Sequence, residues 1–287
     1  MSPVALGLII AAAFAHAAWN LAAKRAGASG IGFVWLSSAV SALLLLPIGL
    51  VTLIVTHANL GLWALAASVS GVFHTLYFVL LQRGYRHGEL SVVYPLARGT
   101  GPLVSIILAI AILGERPAVI GIVGGLVVVG GIVVISLTAR GQLDPAKARA
   151  GVLFGILTGF TIAAYTLWDS NSVTVLAVAP LAMTWGATTT QTLLIAPLAL
   201  RHPSLIATAW RSYWREALVV GVLSPLAYGL VLFALQLAPV ALVAPGRELS
   251  VVLASLAGLF ILHEGHARQR LTGAAIVLVG IVLIAFA

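Results

Sequence analysis

Cysteine is absent from this chain, which excludes disulfide cross-links and thiolate chemistry and leaves the redox environment open. Charge is scarce: only 8% of the 287 residues are charged, against about a quarter in an ordinary soluble domain. No GxSxG turn, Walker loop or pair of aspartates within an apolar segment is present. An intramembrane hydrolase and an ATP-driven pump therefore lack their chemistry, and the chain is not read as an enzyme. His263-Glu264-Gly265-His266 is one residue short of the HExxH zinc helix and lies in a connection, so no metal site and no cofactor is expected.

What is present is apolar, with 61% of residues hydrophobic. Crossing a hydrocarbon core of about 30 Å takes about 20 apolar residues in a helix, and ten such segments begin near Val4, Ile31, Leu62, Leu90, Ala118, Ala150, Ala179, Arg215, Val240 and Leu271. Short connections leave no room for a soluble domain, so any function resides in the bundle. The expected fold is an all-α membrane protein with ten transmembrane helices. Ala13-Phe14-Ala15 has the form of a signal-peptidase site. The first segment nevertheless lacks a basic leader and carries repeat-matched residues beyond that site, so it reads as a span.

The ten segments are two copies of one unit, residues 1–139 and 150–287. At an offset of 149, Glu115 of Leu113-Gly114-Glu115 falls on Glu264 of Leu262-His263-Glu264, Arg98 on Arg247, Gly124 on Gly273 and Gly131 on Gly280. At 150, Trp35 falls on Trp185, Pro47 on Pro197 and Pro95 on Pro245. At 146, Trp19-Asn20 falls on Tyr165-Thr166. The third and eighth segments match poorly. An odd number of helices per unit makes the second copy enter the membrane from the opposite side, which gives two inverted five-helix repeats. Duplicated bundles meeting around a midplane site are the sequence mark of secondary transporters.

The formal charge of +8 could suggest nucleic acid, but its distribution is topological, so no nucleic-acid partner is expected. Lys24, Arg25, Arg83, Arg86, Arg140, Lys147, Arg149, Arg201, Arg211, Arg215, Arg268 and Arg270 all lie at odd-numbered connections. The termini and the even-numbered connections hold only Arg116. The positive-inside rule then makes the odd-numbered connections cytoplasmic and places both termini outside. Arg201 to Arg215 reads as a short amphipathic surface segment, with Trp63, Trp210, Tyr213 and Trp214 as interfacial anchors.

Two arginines lie within the segments, where a charge at the bilayer centre costs at least about 2.5 kcal/mol. Arg98 and Arg247 each sit about 12 Å from the start of a helix at 1.5 Å per residue, beside Pro95 and Pro102 or after Pro245-Gly246. Broken helices with charge at matching places point to a binding site, and two guanidiniums favour a carboxylate or phosphate. Glu248, read as the only carboxylate deep in a helix, either carries a coupling proton or neutralises an arginine. Neighbours in a helix point about 100° apart, so Arg247 and Glu248 are not expected to pair directly. His16, Trp19, Asn20, Tyr77, Tyr94, Tyr165 and Tyr228 complete the candidate site, with His74, Trp168 and Gln191 also polar on apolar helices. Each of these alone could equally be helix-to-helix glue. Gly151, Gly155 and Gly159, and Gly121 and Gly125, form small-residue stripes for close packing or a dimer contact.

Ten helices in two repeats, a Leu-Gly-Glu motif closing the fourth helix of each and a glycine-bearing final helix together resemble the drug/metabolite transporter superfamily, specifically its EamA-domain members. The likeness covers essentially the whole chain and is most specific over Ala234 to Phe286 and Leu113-Gly114-Glu115-Arg116. The resemblance implies a plasma-membrane secondary carrier of small organic solutes, often an exporter of amino acids, metabolites or drugs, with a central cavity walled by both repeats. Leu262-His263-Glu264 departs from the motif by one histidine, and many members resemble a termini-inside arrangement. The expectation is a monomeric or homodimeric carrier of an anionic or zwitterionic solute, with a proton as candidate coupling ion. The alternative is a lipid-phosphate flippase or membrane-embedded lipid-modifying enzyme.

Overall fold

A computed structural model describes residues 1–26, 30–88, 90–136, 145–260 and 267–287. Among these residues every regular element is helical: α1 (Pro3–Arg25), α2 (Gly30–Val55), α3 (Leu60–His87), α4 (Leu90–Ala111), α5 (Val119–Ser136), α6 (Pro145–Thr174), α7 (Pro180–Leu200), α8 (Pro203–Leu237), α9 (Val240–Gly246), α10 (Leu249–Phe260) and α11 (Ala267–Ala285). The last five expected spans are α6, α7, α8, the broken pair α9–α10, and α11. Many of these stretches are rich in β-branched residues, which are mediocre helix formers in water. In lipid an unpaired backbone group costs more than any propensity difference, so the helix is retained. Proline begins α1, α6, α7 and α8, where its missing N–H leaves no intrahelical bond unmade.

The structure shows the inversion directly at the α5–α11 seam. A Cβ on Gly124 would lie 2.8 Å from the Gly280 carbonyl oxygen, and one on Gly280 would lie 2.7 Å from that of Gly124. Farther along, Gly131 and Gly273 face each other in the same way, at 2.9 and 2.8 Å. The two helices are therefore antiparallel. Because Gly124 is equivalent to Gly273, and Gly131 to Gly280, each contact is the image of the other when the repeats exchange. An axis that exchanges two antiparallel helices lies in the bilayer plane, as inverted repeats require. The third and eighth segments, poorly matched in sequence, obey the same relation: Gly71 seats Thr190 and its equivalent Gly221 seats Val40.

This seam yields a controlled prediction. Gly131→Ala should destabilise the detergent-solubilised protein by about 1–3 kcal/mol through overpacking against backbone. Gly130, with nothing within 4 Å of a Cβ, should tolerate alanine. Thermal unfolding of the two variants compares them, and equal midpoints would show that the seam does not depend on close backbone approach.

At 35 residues α8 is longer than a span needs, and Tyr213 breaks it with non-helical φ −139° and ψ 30°. Residues before Tyr213 form a separate short helix where Arg201 to Arg215 was read as a short amphipathic surface segment, and Ala209 packs beside Ala26 and Phe33. Trp210 and Trp214 are exposed. Trp63 is not an outward anchor: it stacks on Trp185 at 5.4 Å and donates its indole N–H to the Ala182 carbonyl at 2.9 Å. The glycine stripe of α6 packs against α4, with Gly155 against Leu96 and Gly159 against Thr100.

Candidate functional site

The α9–α10 break is local proline chemistry. Pro245 cannot donate to the helix ladder, and the chain passes through it on short-range bonds, Glu248 N–H to Pro245 O at 3.0 Å and Val251 N–H to Glu248 O at 2.8 Å. This tightened turn rotates Glu248 toward both arginines. Arg98 Nε on α4 lies 3.1 Å from Glu248 Oε2, and Arg247 Nε lies 3.7 Å from Oε1. Arg247 and Glu248 thus do make contact, contrary to expectation, because the residues are not in a regular helix. Arg98 also donates to Ser250 Oγ at 3.1 Å.

Charge does not balance in this group: two guanidiniums face one carboxylate, and all three side chains are at least 88% buried. Arg98 Nη2 has a hydrogen-bond acceptor in Ser250, whereas Arg98 Nε and both Nε and Nη2 of Arg247 have none. The Arg247 guanidinium instead stands 5.6 Å from the centre of the Tyr165 ring, a cation–π arrangement. One net positive charge and unmatched guanidinium donors, two of them on Arg247, are what an anionic group would complete.

Tyr165 begins an aromatic lattice spanning three helices. His74 of α3 stacks on it at 4.3 Å, Tyr228 of α8 meets its edge at 6.0 Å, and Tyr77 of α3 does so at 6.2 Å. His74 also contacts Tyr228 edge-on at 4.9 Å. Behind the lattice is Asp169, fully buried on α6, so Glu248 is not the only carboxylate deep in a helix. Asp169 Oδ2 accepts from Ser70 Oγ at 3.0 Å and from the Tyr228 hydroxyl.

The sequence candidates therefore divide into those gathered at one place and those satisfied elsewhere. Arg98, Arg247 and Glu248 form one group, and Tyr165, Tyr77 and Tyr228 converge beside it, joined by His74. Trp19 does not meet Tyr165; it packs edge-on against His16 of its own helix at 4.8 Å. Asn20 donates its amide to the His16 carbonyl at 2.8 Å, and Thr166 its hydroxyl to the Ile162 carbonyl at 2.7 Å. The paired presentation expected of these positions is thus absorbed within each helix. Tyr94 lies one turn before Arg98 on α4 and packs against the α5–α11 core cluster. His263, Glu264 and His266 lie outside the described residues.

The Leu-Gly-Glu motif has a structural role that spacing alone did not reveal. Gly114 adopts φ +68°, a conformation that favours glycine, and the turn sends Glu115 back across the repeat boundary. Its two oxygens accept from the Val240 and Ala241 N–H groups at 2.7 and 2.9 Å. The N-cap residue of α9 is Pro239, which offers no side-chain acceptor, so a carboxylate from the first repeat caps a helix of the second. Glu115→Ala should lower stability by about 1–2 kcal/mol, and Glu115→Gln by less, in chemical unfolding of solubilised protein. A cavity of about 410 Å³ opens at this end of the bundle, lined by Glu115, Ser170, Asn171, Gln236 and Pro239.

The sequence profile of the EamA-like transporter family matches residues 4–137 and 149–286. A solved crystal structure of a protein aligns with a TM-score of 0.78 over 100% of this chain and 98% of its own, at 16% identity. At that identity the likeness shows the fold. No curated protein matches the chain.

Proposed function

Because the chain belongs to the EamA-like transporter family, a family of multi-pass membrane transporters of small solutes, we propose that it is a plasma-membrane secondary carrier that exports an anionic or zwitterionic organic solute by alternating access. The observation that supports this is the unbalanced Arg98–Glu248–Arg247 group, with Arg247 nitrogens that have no hydrogen-bond acceptor beside Tyr165. A solute carboxylate would take the open guanidinium edge through two parallel hydrogen bonds, and its organic body would lie against Tyr165, Tyr77 and Tyr228. Glu248 serves to hold the two arginines together. In this reading residues 1–139 and 150–287 are the two moving units, both termini are outside and the odd-numbered connections are cytoplasmic.

Counterflow in proteoliposomes tests the reading. Labelled amino acids, organic acids and sugar phosphates are presented separately to vesicles preloaded with the same unlabelled compound. Saturable exchange of at least one class supports the proposal. Movement of a polyprenyl phosphate with no exchange of any soluble solute would replace it with the lipid reading.

A further inference from the structure

We propose that Asp169 is the site of the coupling proton, loaded from His74 through Ser70 and kept apart from the arginines that hold the solute. The proposal rests on the carrier reading above. Asp169 is fully buried and, among the described residues, no cation pairs with it. Its hydrogen bonds, from Tyr228 and Ser70, both fall on Oδ2, and Oδ1 has no partner. A buried polar atom without a partner is uncommon in a folded protein and calls for an explanation. Asp169 can gain and lose a proton without stranding an opposite charge. Glu248 cannot, because neutralising it leaves two buried guanidiniums facing each other.

The relay follows from donor and acceptor chemistry. His74 Nδ1 lies 2.9 Å from the Ser70 carbonyl oxygen and 3.3 Å from Ser70 Oγ. A carbonyl only accepts, so Nδ1 bears the hydrogen and Nε2 is the position that takes up a proton. When Nε2 is protonated, the Nδ1 hydrogen passes to Ser70 Oγ as the Ser70 hydrogen passes to Asp169 Oδ2. His74 ends as the neutral Nε2–H tautomer and Asp169 as a neutral acid, with one proton moved and none created. Release runs the same steps in reverse.

The surroundings link this relay to the solute group. The charged and titratable residues around it are His74 and Tyr77 from α3, Tyr165 from α6, Tyr228 from α8 and Arg247 at the α9–α10 break. Arg98 on α4 and His16 on α1 come from the neighbouring helices, and α2 and α7 carry no titratable residue. His74 stacks on Tyr165, whose ring also meets Arg247. A charge on the imidazole is therefore one ring away from the guanidinium that receives the solute. The cavity at the terminal end of the bundle reaches Ser170, the chain neighbour of Asp169.

Two measurements on full-length protein in proteoliposomes decide the proposal. Infrared difference spectra between acid and alkaline buffer should show the carbonyl stretch of a titrating carboxylic acid in the wild type, and that band should vanish in Asp169→Asn. Should Asp169→Asn fail to fold, Ser70→Ala must move the titration midpoint of the same band. With a labelled mixture of the common amino acids, Asp169→Asn should retain gradient-free exchange while accumulation driven by an imposed pH gradient falls about tenfold to a hundredfold. Persistence of the band in Asp169→Asn, an unmoved midpoint in Ser70→Ala, or undiminished driven accumulation overturns the proposal. Absence of any exchange by the wild type counts against the carrier reading, and the infrared result then decides the proton site independently.

Discussion

Arg247→Ala is expected to abolish saturable exchange while leaving a folded, membrane-inserted protein. The variant retains the Arg98–Glu248 contact at 3.1 Å, so the remaining pair is neutral and no buried charge is stranded. What disappears is the single excess positive charge and the two nitrogens without acceptors. Truncating one member of a buried charge pair with the solute costs roughly 2–5 kcal/mol, about thirtyfold or more in affinity. Arg247→Lys keeps the charge but loses the planar fork and the face-on contact with Tyr165, and should fall between the two, about tenfold below wild type by the weight of one charge-assisted bond. Counterflow at equal reconstituted protein, with size-exclusion profiles as the folding control, measures both. Wild-type exchange by a well-folded Arg247→Ala protein would remove the solute from this group.

What could be read most firmly from the sequence was what occurs twice. The spans, the repeat and the arginine pair are announced by residues that recur at a fixed offset, and the α5–α11 glycines recur because backbone meets backbone there in both halves. Asp169 and the network that joins it to His74 and Tyr228, which were missed, have no counterpart. Asp169 aligns with Ala23, His74 with Ser224 and Tyr228 with Phe78, so comparing the repeats raised no flag for the network they form. Asp169 is also followed by Ser170-Asn171-Ser172, a polar run that reads as a helix end, although α6 continues to Thr174. The partner of Glu115 could not be read at all, since its carboxylate bonds N–H groups 125 and 126 residues away. A missing side-chain acceptor at Pro239 is a weak sign that something must reach in from elsewhere. The Arg247–Glu248 contact was misjudged for a related reason: the 100° rule holds inside a helix, and Pro245 had already ended that helix.

Glu248→Gln separates the two roles that a buried carboxylate can have here. Glutamine keeps the shape of the side chain and mimics a protonated acid, so a proton carrier at this position would tolerate it structurally. The geometry predicts the reverse. With its charge removed, Arg98 and Arg247 remain buried without a counterion, and breaking a buried pair from one side costs about 3–5 kcal/mol. Replacing both Arg98 and Glu248 by methionine removes the contact as a unit and fills similar volume, leaving Arg247 as the one buried charge and the net charge unchanged. That double variant should lose less stability than Glu248→Gln, since it leaves one guanidinium rather than two without a counterion, yet it should not exchange solute. Unfolding midpoints in detergent for the wild type, Glu248→Gln and the double variant test this order. A Glu248→Gln protein as stable as wild type would mean that the carboxylate is not what holds the arginines in place, and Glu248 would then return as a candidate carrier of the proton.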